Sequence, residues 1–97
     1  MSQMYKAIFL PGAEKQLRKI KEQALVKAFQ ECVKEAAAQP YKAQKVGVLS
    51  GIYGHGFNYN KTAYRIAYLI DEESRTIIVV GLGSHENFWR DIKKYMK

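Results

Sequence analysis

Cysteine is nearly missing from this 97-residue chain: Cys32 stands alone, so no internal disulfide can form. Its apolar neighbours make it a core thiol rather than a nucleophile. Long hydrophobic runs are missing too. No stretch reaches the roughly 18 to 20 apolar residues needed to span a bilayer. Ser2, Gln3 and Lys6 interrupt any signal-like apolar segment at the start, so the expected location is cytoplasmic, away from a membrane. Two histidines, one cysteine and no carboxylates clustered at ligand spacing leave nothing that predicts a metal site, and no cofactor is expected. Gly51-x-x-Gly54-x-Gly56 lacks a following Lys-Ser/Thr and is not a phosphate loop. No serine triad can be argued.

The most telling absence is of negative charge. From Ala36 to Ile70 there is no Asp or Glu, although the chain holds nine acids. Inside that gap lie Lys42, Lys45, Lys61, Arg65 and His55, with five of the seven tyrosines. Such a segment has nothing to repel a phosphate and offers rings on which bases stack. The whole chain carries a net charge of +7, which favours an anionic partner. Hydrophobic residues make up 47%, enough for a core, and the length fits a single domain over 1–97.

The pattern predicts the order β-α-α-β-β-β-α. Met4 to Leu10 is β-prone and ends at Pro11-Gly12. Ala13, Leu17, Ile20 and Ala24, then Leu25, Phe29, Cys32, Val33 and Ala36, recur at helical spacing, with a break or bend near Glu22-Gln23 and an end before Pro40. Tyr41 to Gly47 reads as a basic loop, and Val46 to Tyr53 as one strand. Gly51, Gly54 and Gly56 then read as a turn or bulge. Thr62 to Ile70 and Thr76 to Leu82 read as hairpin strands around Asp71-Glu72-Glu73-Ser74. Ser84 caps a final helix whose apolar stripe runs through Phe88 and Ile92. The fold class is α+β: an N-terminal strand, a two-helix hairpin, a three-stranded antiparallel meander completing a twisted sheet, and a short C-terminal helix.

The Thr62–Ile70 strand separates packing from chemistry. With period two, Tyr64, Ile66 and Tyr68 share one face, and Ala63, Arg65, Ala67 and Leu69 the other. The bulky set suits the helices. The other set leaves one permanent cation among small residues, a planar fork suited to phosphate. The bland alternative is an exposed arginine serving solubility. His85 falls at the start of the last helix, where the positive dipole end disfavours imidazolium and leaves a neutral base; a plain polar residue would also suit that turn. Trp89, four residues on, stacks a base or completes the core. Arg90 and Lys94 lie on a basic flank.

These segments resemble the RelE/ParE superfamily of bacterial toxin–antitoxin toxins. The resemblance runs from MYKAIFLPGAEKQLRKI through Leu49-Ser50-Gly51 and YRIAYLID to GSHENFWRDIKKY. It implies the toxin of a type II pair, and in RelE-like members a metal-independent, ribosome-dependent mRNA endonuclease that blocks translation. Such enzymes turn a 2′-hydroxyl on the adjacent phosphate in the ribosomal A site. The resemblance then implies that Arg65 stabilises the developing charge. His85 falls where HigB- and YoeB-like members place a histidine or basic group, and Trp89 near a C-terminal tyrosine of RelE. Lys45, His55, Lys61, Arg90 and Lys94 are expected to hold phosphates, with Trp89 stacking a base. The implied partner is an acidic antitoxin, in a toxin–antitoxin hetero-oligomer. Gly56, Asn58 and Gly83 fall at positions that are basic in RelE. Two alternatives stay open: a ParE-like inhibitor of DNA gyrase, and a non-toxic nucleic-acid-binding relative.

Overall fold

A computed structural model describes residues 4–47 and 51–84. Strand β1 (Lys6–Phe9) leads into α1 (Pro11–Arg18). Pro11 occupies the first turn, where its missing N–H costs nothing, and Leu10 before it is extended. Helix α2 (Gln23–Ala38) restarts after an extended Glu22, whose carbonyl accepts from the backbone N–H groups of Leu25 and Val26, each at 3.1 Å. The expected break near Glu22-Gln23 is therefore present. α2 buries Leu25, Phe29, Cys32, Val33, Ala36 and Ala37, spaced to fall on one side.

Four further strands follow: β2 (Gln44–Gly47), β3 (Ile52–Tyr59), β4 (Thr62–Asp71) and β5 (Thr76–Ser84). The sheet order is β1-β5-β4-β3-β2. β1 runs parallel to β5, and every other neighbouring pair is antiparallel. The predicted α+β class and antiparallel meander are thus observed.

Three sequence expectations change. Gln44–Gly47, read as loop, is an edge strand. The run from Val46 to Tyr53 is divided between β2 and β3. Gly54 and Gly56, read as a turn or bulge, sit inside β3, paired with Ala67 and Arg65. Glycine weakens a strand, but the alternate positions Tyr53, Phe57 and Tyr59 pack against the core and hold β3 extended. Ser84 is the last residue of β5, and the expected final helix lies outside the described residues.

Both helices cover one face of the sheet. Phe29 lies at its centre, edge-on to Phe57 and Tyr64 with centroids 5.0 and 5.6 Å away. Tyr64, Ile66 and Tyr68 join this cluster, as their alternation predicts. Tyr68 is fully buried, and its hydroxyl donates to the Pro40 carbonyl at 2.7 Å. The opposite face holds a smaller cluster of Ile52, Ala67 and Val80, flanked by Leu10, Leu69 and Ile78. That face is closed around Ala67 and more open toward Ala63. Among the described residues no helix is long and apolar enough to cross a membrane.

Candidate functional site

Arg65 lies on the face away from the helices. Antiparallel pairing places Gly56 of β3 on one side of it and Gly83 of β5 on the other. Adjacent strands are about 4.8 Å apart, so roughly 10 Å of sheet carries one side chain at this level. That side chain is half-buried and leans over β3. A β-carbon at Gly56 would fall 3.1 Å from Arg65 Cγ and 3.5 Å from its Nε. Among the described residues Arg65 has neither a hydrogen bond nor an ion pair; Glu14, by contrast, is paired with Arg18. The guanidinium therefore lies on bare backbone with its donors available to a bound anion.

The acids among the described residues are held elsewhere. Glu14, Glu31 and Glu35 are on the helices, and Glu22 lies just before α2. Lys34 pairs with Glu31 at 3.9 Å, and the Tyr59 hydroxyl donates to Glu22. Asp71, Glu72 and Glu73 are at the far end of β4, six residues from Arg65, roughly 20 Å along a strand. There Glu72 accepts from the Tyr5 hydroxyl at 2.8 and 3.0 Å and from that of Tyr41. These two bonds hold the Glu72 carboxyl below its usual range and push the Tyr41 hydroxyl up to about 12. Among the described residues, the gap in negative charge seen in the sequence is thus also a gap in space, centred on the Arg65 face; Glu86 and Asp91 lie outside them.

His55 belongs to the other face. It is paired with Ile66, a core residue, and its Nε2 lies 3.0 Å from Glu35 Oε1. With Lys42, Ala36 and Gln39 these two line a cavity of 420 Å³ beside α2. The mixed charges do not make it an anion site, and the sheet separates His55 from Arg65. Lys61 is exposed in the tight turn between β3 and β4, four residues from Arg65, about 13 Å along the strand. Lys45 is on β2, its backbone paired with Tyr53. His85, Trp89, Arg90 and Lys94 lie outside the described residues.

Sequence reasoning gave Gly56 and Gly83 no part in an anion site. Their signal was the period-two spacing of Gly54, Gly56 and Asn58, which strips one face of a strand. Cys32 is buried, which pushes its thiol up to about 12 and keeps it protonated. Among the described residues no three His, Cys, Asp or Glu side chains are grouped to hold a metal ion.

Residues 8–93 match the profile of the ParE-like toxins of type II bacterial toxin–antitoxin systems. The chain belongs to that family. Its fold is that of solved RelE toxins. The E. coli RelE toxin with two arginines replaced by alanine, in the free state, is 20% identical with a TM-score of 0.71, covering 96% of this chain and 99% of that one. In the RelBE2 toxin–antitoxin complex from Mycobacterium tuberculosis the matching chain is 22% identical with a TM-score of 0.68, covering 84% and 92%. In the intact E. coli RelBE complex the corresponding values are 21%, 0.67, 81% and 94%. No curated protein matches at the level of sequence. The chain is thus a type II toxin of the RelE/ParE superfamily.

Proposed function

We propose that this toxin is a metal-independent, ribosome-dependent mRNA endonuclease in which Arg65 stabilises the transition state. The observation that carries this reading is the position of Arg65, between Gly56 and Gly83 on a face free of acids among the described residues. A phosphodiester backbone can approach such a surface closely, because no β-carbon flanks the cation. His85 takes the proton of the 2′-hydroxyl. The freed oxygen attacks phosphorus, the P–O5′ bond breaks, and the 5′-oxygen takes a proton from water, giving a cyclic phosphate and a 5′-hydroxyl. Charge grows on the phosphoryl oxygens as this happens, and a preplaced guanidinium favours that state over the ground state. Lys61, Lys45, Arg90 and Lys94 supply the phosphate contacts, and Trp89 stacks a base. The reaction belongs in the cytoplasm, where translating ribosomes are. An acidic antitoxin fits the charge of +7, and two of the similar structures are toxin–antitoxin complexes.

Primer extension on translated mRNA tests this. Wild type is expected to cut, with Arg65→Ala and His85→Ala each slower by about 10²- to 10³-fold. No cutting with active ribosomes, or normal cutting by both variants, defeats the proposal. A second reading, inhibition of DNA gyrase, draws on the ParE-like profile and on Gly56, Asn58 and Gly83 where RelE is basic. Accumulation of cleaved gyrase–DNA complexes would favour it, and unchanged supercoiling at high toxin concentration would eliminate it.

A further inference from the structure

Gly56, inside β3, has neither a positive φ nor a core contact to account for it. Its φ is not positive, whereas Gly51, just before β3, has a φ of 66° that L-residues rarely adopt. It is exposed, so no core contact excludes a side chain. It sits in the middle of β3, where glycine weakens a strand and leaves nothing to pack. The atoms nearest to a β-carbon there would be the Tyr64 carbonyl oxygen at 3.0 Å and Arg65 Cγ at 3.1 Å, with Nε next at 3.5 Å. The carbonyl is backbone of a ladder paired from Tyr53–Tyr68 to Tyr59–Thr62, and it cannot shift alone. The carbonyl contact remains whatever stands at position 65, whereas the arginine stem can rotate away, so the two contacts have different consequences.

We infer that Gly56 is the seat of Arg65, a positioning residue whose missing side chain lets the arginine lie across β3 and fixes where its guanidinium meets a phosphate. This rests on the proposed role of Arg65 as an anion ligand. Gly56 itself touches no substrate. Any larger residue rotates the arginine stem off β3, and a bidentate fork moved by about an ångström loses both its paired hydrogen bonds and its alignment with the developing charge. At a position that is basic in RelE, this toxin uses empty space to aim one cation.

The test is a double-mutant cycle on the full chain, with Gly56→Ala, Arg65→Ala and the pair. Three quantities are read: the Arg65 Nε–Hε NMR resonance during titration with inorganic phosphate, mRNA cleavage, and thermal unfolding. Gly56→Ala is expected to move that resonance, weaken phosphate binding about tenfold, and slow cleavage about a hundredfold. Added to Arg65→Ala, it should change cleavage no further, and any loss in melting left on that background belongs to the Tyr64 carbonyl contact. An unmoved resonance, undiminished cleavage, or a further loss of cleavage on the Arg65→Ala background overturns the assignment. Should Gly56→Ala alone fail to fold while the double variant folds, the seat stands, since the clash is then with Arg65. Failure of both to fold means the glycine serves the backbone, and the seat falls. A wild type that binds phosphate through Arg65 but cuts no mRNA defeats the endonuclease reading and leaves the seat intact.

Discussion

The two faces of the sheet use the same strands for opposite purposes. On β3, Tyr53, Phe57 and Tyr59 pack under the helices, while Gly54, Gly56 and Asn58 share the other face. On β4, Tyr64, Ile66 and Tyr68 are core, while Ala63 and Arg65 are not. The helix face is aromatic, interlocked and acid-flanked. The other face is small and, among the described residues, free of acids around Arg65. The helix face supplies the burial and ring contacts that hold β3 and β4 in register. Fixed register is what allows Arg65 to have glycine on both sides. Stability on one face thus sets geometry on the other, although the two share no side chain.

The sharpest way to break this division is to exchange its consequences. Phe29 is 1% exposed and sits at the meeting point of three aromatic rings. Phe29→Ala should cost about 3 to 5 kcal/mol of unfolding free energy by denaturant titration. Arg65→Ala should stay within about 0.5 kcal/mol of wild type in the same titration. If Arg65→Ala destabilises as Phe29→Ala does, Arg65 is part of the fold and the two faces are not separable.

Much of that division was legible in the sequence. Alternation in Thr62–Ile70 separated core tyrosines from Arg65, and helical spacing placed Phe29 and Cys32 in the core. Both are local signals of fixed period. Gly54 and Gly56 were misread because punctuation by glycine is also local, whereas β3 is held by a non-local partner, β4. His55 was grouped with Arg65 because both lie in one acid-free stretch. Only the register, which pairs His55 with Ile66, puts the sheet between them. The isolation of the acids was legible as a gap in sequence, but their capture by Tyr5, Tyr41, Tyr59 and His55 was not. Each of those pairs joins residues at least twenty positions apart.

A smaller effect concerns how the acids are kept away. Glu72 is held by Tyr41 and Tyr5, and Tyr5 is stacked beneath Arg75 at 4.7 Å. Because its folded pKa is lowered, Glu72 contributes stability that is complete above its unfolded value of 4.5 and is lost as pH falls through the lower folded value. Tyr41 gives the opposite limb. Its folded pKa is raised from 10.0 to about 12, so its contribution is complete below 10 and is lost as pH rises toward 12. Melting temperature against pH should therefore slope at both ends, and Glu72→Gln should flatten both slopes. Unaltered limbs in Glu72→Gln would show that the clasp does not couple the turn to the fold. Cleavage at neutral pH should be unaffected, since Arg65 is on the other face.

The finest division lies within one residue. Asn60 and Lys61 form the β3–β4 turn with φ of 48° and 65°, both in the left-handed region. A two-residue hairpin of that geometry favours Asn-Gly, so lysine at the second position strains the turn. Lys61→Gly should then raise stability by about 0.5 kcal/mol. If Lys61 also contacts a phosphate, the same change should weaken RNA binding and reduce the slope of log affinity against log salt by about 0.7. Opposite signs on stability and binding would mean that a strained turn is kept for its charge. A gain in stability with an unchanged salt slope would remove Lys61 from the binding surface and leave Arg65 as the cation of that face among the described residues.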